Sequence, residues 1–157
     1  MSVPGTIIAN LNAVQSGPSG GLGTASVRLA LEVSLAITDG TGAGQCNKFW
    51  SRSAQSLAPS SSETWHLVGS LTDTLGVAVT FSAVKVIYIR ARSTNTNNVV
   101  FGNDAAHVVV LGAATESFSS KPGQIMLLTN LTAAGWTVTA TTADLLKITN
   151  SSSGTAV

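Results

Sequence analysis

Two histidines, seven carboxylates and one cysteine hold most of the acid–base, nucleophilic and metal-binding capacity of this 157-residue chain. A Ser-His-Asp relay places a histidine between a serine and a carboxylate. His107, with Asp104 three residues before it, supplies two of those parts. No serine sits in the strand-to-helix elbow that would expose it for attack. A glycosidase pair would have to come from Glu32, Glu63, Glu116, Asp39, Asp73, Asp104 and Asp144. No two of these share a motif; Asp39 lies at a turn and Asp73 beside one, so both read as turn residues. His66, His107 and Cys46 are too widely separated for zinc spacing, and no loop has the acidic density of a calcium site. The sequence therefore nominates no catalytic, cofactor-binding or metal residue, and both histidines read as structural.

Other motifs are equally bland. Gly17-Pro18-Ser19-Gly20-Gly21-Leu22-Gly23 has the look of a phosphate loop but lacks Gly-Lys-Ser/Thr and leads into a strand. Asn130-Leu131-Thr132 and Asn150-Ser151-Ser152 fit the glycosylation pattern, which arises by chance in a chain rich in these residues. Trp65 and Trp136 alternate with polar residues along strands and read as core. Trp50, beside Phe49, is the one aromatic pair placed to stack on a sugar ring.

Composition narrows the partners. Only 10% of residues are charged, while 44% are hydrophobic. Average domains carry roughly 25% charge. Polarity comes from Ser and Thr, about a quarter of the chain. Hydroxyls can be covered by a neighbour without the desolvation cost of a charge. A net charge of +1 gives no footprint for nucleic acid or an anionic membrane. Arg90 and Arg92, two apart, read as a solvated or interfacial face. One cysteine excludes an intrachain disulfide. Met1 to Gln15 lacks the basic region of a signal peptide, and no apolar run is long enough to span a membrane as a helix.

The elements that must position these residues are strands. Val27, Leu29, Leu31, Val33, Leu35 and Ile37 alternate with Ser26, Arg28, Ala30, Glu32, Ser34 and Ala36, so residues 25–38 predict a long strand with one face buried. Asp39-Gly40 stops it. Shorter strands are predicted at 6–11, 63–70, 76–81, 99–101, 107–111, 124–129 and 145–149. Residues 84–91, apolar on both faces, read as a central strand between layers. No window shows helical periodicity. The expectation is an all-β, single-domain antiparallel β-sandwich of jelly-roll type. Residues 1–24 form an N-terminal arm with a short strand and Gly-rich loop, and 25–157 the sandwich.

The succession Asp39-Gly40-Thr41-Gly42-Ala43, Phe49-Trp50-Ser51, Leu67-Val68-Gly69-Ser70-Leu71-Thr72-Asp73 with Gly76, residues 81–89, and Gly135-Trp136 through Asp144-Leu145-Leu146-Lys147-Ile148-Thr149-Asn150 resembles small all-β virion structural proteins of bacteriophages and prophages. The resemblance covers about three quarters of the chain, roughly 40–157. It implies no catalytic residues. It implies a capsid decoration (cement) protein on the capsid exterior of the virion, made in the bacterial host cytoplasm. Its expected partners are the major capsid protein and itself, as a homotrimer, with no nucleic acid or membrane. The alternative is a tail or fibre domain for host recognition or carbohydrate binding. Similar sequences continue past Thr155-Ala156-Val157 into an apolar closing strand, so a sheet edge open to a neighbouring chain is expected here. Residues 2–15, the 17–23 loop and the C-terminus are the expected interface regions.

Overall fold

The computed structural model describes residues 4–18, 24–53, 55–153 and 157. Regular structure among them is entirely β, with no helix, and every strand pairing is antiparallel. The first two strands, β1 (Gly5–Pro18) and β2 (Thr24–Ile37), form a long two-stranded ribbon. Four others, β3 (Ser62–His66), β12 (Leu145–Asn150), β8 (Val99–Gly102) and β9 (Ser117–Ser120), make one sheet in that order. The rest pair in twos: β4 (Leu71–Thr72) with β5 (Ala78–Val79), β6 (Ala83–Val84) with β11 (Trp136–Thr137), and β7 (Val86–Arg90) with β10 (Ile125–Thr129). These pairings do not form a closed barrel.

Register decides which side chains share a face. In the four-stranded sheet Ile148 stands opposite both Glu63 and Phe101, and Phe101 opposite Phe118. One row along, Leu146 stands opposite Trp65. Trp65, Phe118, Leu146 and Ile148 pack on a buried cluster of Leu67, Leu71, Val79, Val84, Ile87, Phe101, Val108 and Met126. To the same cluster β7 and β10 contribute Ile87 opposite Leu128 and Ile89 opposite Met126. Fully burying one such side chain is worth about 1.5–3 kcal/mol. This apolar set is therefore what holds the short strands of the body together.

Five elements differ from their sequence expectation, two of them only in length: the strands expected at 63–70 and 76–81 are Ser62–His66 and Ala78–Val79. The strand predicted at 6–11 runs from Gly5 to Pro18, because every residue of β1 finds a partner in β2. Residues 107–111 are not a strand: His107 makes a single bridge to Leu145, and the chain then bends away toward Gly112. The amide of Val108, the most deeply buried residue there, is taken by the Leu145 carbonyl. The run at 84–91 is broken by Lys85 into β6 and β7, and it is not covered on both sides. Tyr88, paired with Leu127, and Ile125, paired with Arg90, face outward and are exposed. The strand start expected at 155–157 falls mostly outside the described residues; Val157 itself exchanges two backbone hydrogen bonds with Leu57, at 2.8 and 3.0 Å.

Candidate interaction surface

The β1–β2 ribbon carries a run of large apolar side chains that the described residues leave exposed. Pairing sets Ile7 opposite Leu35, Ala9 opposite Val33, Leu11 opposite Leu31 and Ala13 opposite Leu29. Directly paired residues lie on one face, so these eight apolar side chains form one continuous stripe. The other face carries Thr6, Asn10, Asn12, Glu32, Ser34 and Arg28, relieved only by Ile8, Val14 and alanines. There Asn12 donates to Asn10, and Asn10 donates to Glu32 at 3.5 Å. A stripe of this kind is ordinarily the inner face of a sheet. Here Leu11 and Leu31 are each 55% exposed, Val33 54% and Leu29 48%. Only Ile7, Leu35 and Ile37, near the root, are half-buried. The burial expected of the 25–38 strand is not provided by the described residues.

At the root the chain leaves β2 through a loop closed by Thr38, whose amide bonds to the Gly44 carbonyl (3.0 Å) and whose carbonyl accepts from Cys46 (2.9 Å). Lys85 reaches into this loop. Its side chain is buried, and its ammonium donates to the carbonyls of Thr41 and Gln45, both at 2.9 Å, and of Gly42. Gly44 also donates to the Leu131 carbonyl (2.8 Å), in the stretch between β10 and β11. Gly135, which ends that stretch, sits at φ +59° with space for no Cβ: one built there would lie 2.7 Å from the Val84 carbonyl oxygen. A buried charge without partners is costly; three carbonyl dipoles supply what water would. Lys85 thus ties the ribbon's root to the body. A lone lysine inside the apolar run at 84–91 was the available signal for it, and sequence reasoning passed over it.

The titratable residues do not assemble into a relay. His107 is buried with its ring edge-on to Phe101, centroids 4.7 Å apart. Its Nδ1 lies 2.8 Å from the Val108 carbonyl, so that nitrogen carries the proton, while Nε2 is buried with no hydrogen-bond partner among the described residues. Burial pushes its pKa below the ordinary 6.5, more than the Val108 carbonyl raises it. Asp104 instead accepts from the Ala106 amide (3.1 Å) and lies 3.4 Å from Lys147 Nζ. That amide and that cation hold its carboxyl below the usual 3.8. The exposed His66 caps the buried Asp144, Nδ1 to Oδ2 3.5 Å. Strand pairing puts His66 on one side of Leu145 and the His107 bridge on the other. Among the described residues no hydroxyl is hydrogen bonded to either imidazole, and no three His, Cys, Asp or Glu side chains cluster as metal ligands do.

The remaining sequence candidates are placed as follows. Asp73 is a turn residue, its Oδ1 accepting from the amides of Leu75 and Val77, both at 2.9 Å. Asn130 accepts from Thr132 within its own turn, and Asn150 is buried, so the second glycosylation triplet belongs to the interior. Trp50 packs on Trp65 with ring centroids 5.3 Å apart, and Trp65 donates to Glu63 at 2.9 Å. Only Phe49 of that group stands well exposed. Arg90 and Arg92 are both exposed. Of the 17–23 loop, residues 19–23 lie outside the described residues. A shallow depression of about 230 Å³ is lined by Asn47, Lys48, Asp73 and Val77 to Val79. No described helix is long and apolar enough to cross a membrane.

Compared with protein-family models, curated proteins and solved structures, the chain matches none.

Proposed function

We propose that this chain is a non-enzymatic structural protein of a bacteriophage virion, a capsid decoration (cement) protein that binds the outer shell and stabilises contacts between major capsid protein subunits. The observation that carries the reading is the ribbon: two fourteen-residue strands whose apolar stripe, beyond its root, is left exposed by the described residues. An isolated hairpin of this kind is marginal in water, so its stability has to come from association. The low charge of the chain and the motif order of residues 40–157 point the same way. Cementing is mechanical. Each contact contributes modest binding free energy, and a symmetric oligomer multiplies it through effective concentration.

For the body we propose a jelly-roll sandwich. In it the β3-β12-β8-β9 sheet is one layer, the β6–β11 and β7–β10 pairs with β4–β5 are the other, and the cluster containing Phe101 and Met126 lies between them. The outer face of β7 and β10, with Tyr88, Ile125 and Leu127, is the apolar surface the body offers to a shell.

Cryo-electron microscopy of purified particles of the phage or prophage that encodes the chain tests the assignment. Density fitting the body on the outer shell is expected. Finding the chain only in the tail, or absent from particles, ends the decoration reading. A tail-fibre, carbohydrate-binding reading draws on exposed Phe49 beside the Trp50–Trp65 pair. Glycan binding that disappears in Trp50→Ala favours it instead.

A further inference from the structure

The net charge of +1 conceals a segregation. Residues 74–103 and 117–143 carry four cations, Lys85, Arg90, Arg92 and Lys121, and no carboxylate. All seven carboxylates lie in the remainder of the chain, with the other four cations. Lys85 is buried in its carbonyl cage, which leaves three exposed positive charges to these two stretches. Register gathers them at one end of the β7–β10 pair. Tyr88 stands opposite Leu127, and Arg90 opposite Ile125. The pairing continues beyond β7, the Ala91 amide bonding to the Gln124 carbonyl and the Gly123 amide to the Arg92 carbonyl. Ala91 is buried, so Arg92 faces outward on the side of Tyr88 and Arg90. Lys121 opens the turn that brings Gly123 against Ser93. Among the described residues no carboxylate pairs with Arg90, Arg92 or Lys121.

We infer that this face docks a different protein whose surface sets carboxylates beside apolar side chains. The arginines take the carboxylates, and Tyr88, Ile125 and Leu127 take the apolar groups. Charge complementarity chooses the partner. A guanidinium fork pairs bidentately with a carboxylate, and Tyr and Arg are the residues that most often anchor protein interfaces. Three cations fall short of the roughly four to eight that hold an anionic membrane surface. They also fall short of the roughly six to ten phosphate contacts of a duplex DNA site. One ring beside two aliphatic side chains gives single-stranded bases little to stack on. A second copy has few carboxylates to offer. Asp104 is paired with Lys147, Asp144 with His66, Glu63 with Trp65, and Asp73 with amides of its own turn. The inference rests on the shell-facing reading of this surface for the partner's identity, but not for the partner's chemistry.

The test titrates the purified full-length chain with a fluorescein-labelled peptide alternating glutamate and leucine. Micromolar binding is expected at low salt, weakening several-fold as salt is raised. The same peptide with lysine for glutamate should not bind. Arg90→Glu with Arg92→Glu should weaken binding of the acidic peptide at least tenfold, and Tyr88→Ser with Leu127→Ser at least fivefold. Arg28→Glu, on the ribbon, should leave it unchanged. All these side chains are exposed, and an unchanged near-ultraviolet signal of Trp50 and Trp65 verifies that each variant is folded. Failure of the acidic peptide to bind, or binding indifferent to the arginine reversal, overturns the inference. Tighter binding of a single-stranded oligonucleotide or of phosphatidylserine vesicles, lost in the same variant, overturns the protein partner. Self-association that the reversal abolishes overturns it in favour of a second copy. A chain found on the shell that ignores the peptide keeps the virion reading and removes this one. Peptide binding that meets every condition, in a chain missing from particles, does the reverse.

Discussion

The ammonium of Lys85 lies 2.9 Å from the carbonyl oxygen of Gln45, and through that contact the junction between β6 and β7 holds the loop into which the ribbon runs. Between Val84 and Val86 the same position would otherwise be apolar. Hydrogen bonds to charged groups contribute about 1.5–3 kcal/mol, and here several carbonyls share one donor group. Lys85→Met, which keeps most of the volume, is expected to cost about 2–3 kcal/mol in urea unfolding. Hydrogen exchange should accelerate first at the amides of Gly44 and Cys46. An unchanged midpoint together with unchanged exchange at those amides would show that the cage is not a tether.

His107 makes stability depend on pH. Its folded pKa is depressed below 6.5 by burial, so the unfolded chain binds the proton more readily. Stability is fully present above about pH 6.5 and is lost as pH falls from there toward the folded pKa. Asp104, also depressed, contributes stability above its ordinary 3.8 that is lost only at more acid pH. Thermal unfolding between pH 7.5 and 5 should therefore show a falling midpoint. His107→Phe should flatten that slope, and a slope equal to wild type would refute the assignment to this imidazole.

Phe101 is 2% exposed, lies edge-on to His107 and shares a row with Ile148 and Phe118. Phe101→Ala is expected to destabilise the body by about 3–5 kcal/mol, from lost transfer energy and an unfilled cavity. Calorimetry should place the loss in the body's transition.

Asn150 lies at the end of β12 opposite Val99, which in turn stands opposite Ser120; all three are buried. The Asn150 amide donates to the carbonyls of Leu57 and Ala58 at 3.3 and 3.2 Å, and its oxygen accepts from Asn97 at 3.0 Å. Asn150→Ala leaves buried polar groups unpaired, at an expected cost of about 2–3 kcal/mol. Faster exchange of the Leu57 amide, which bonds to the Val157 carbonyl, is the local readout.

How much of this was legible follows from what alternation encodes. Residues 25–38 read as a strand because every second side chain is apolar, and the strand is there, from Thr24 to Ile37. Alternation says that one face must be covered but not by what: Leu29, Leu31 and Val33 have the same pattern whether they meet their own chain or another. The outward Tyr88 escapes for a related reason: apolarity on both faces of residues 84–91 does not by itself mean cover on both. Residues 107–111 misled differently. Their β-branched run satisfies strand propensity, yet the bend toward Gly112 sends the chain back to β9 after one bridge. The contacts of His66 with Asp144 and of Lys85 with the 41–45 loop depend on long-range register, which local patterns do not carry.

The joint between ribbon and body is a polar one. Apolar packing tightens against solvent, whereas carbonyls around an ammonium can exchange that partner for water one bond at a time. A pivot built this way yields before either sheet melts. Mild heat or denaturant should therefore let the body swing on an intact ribbon.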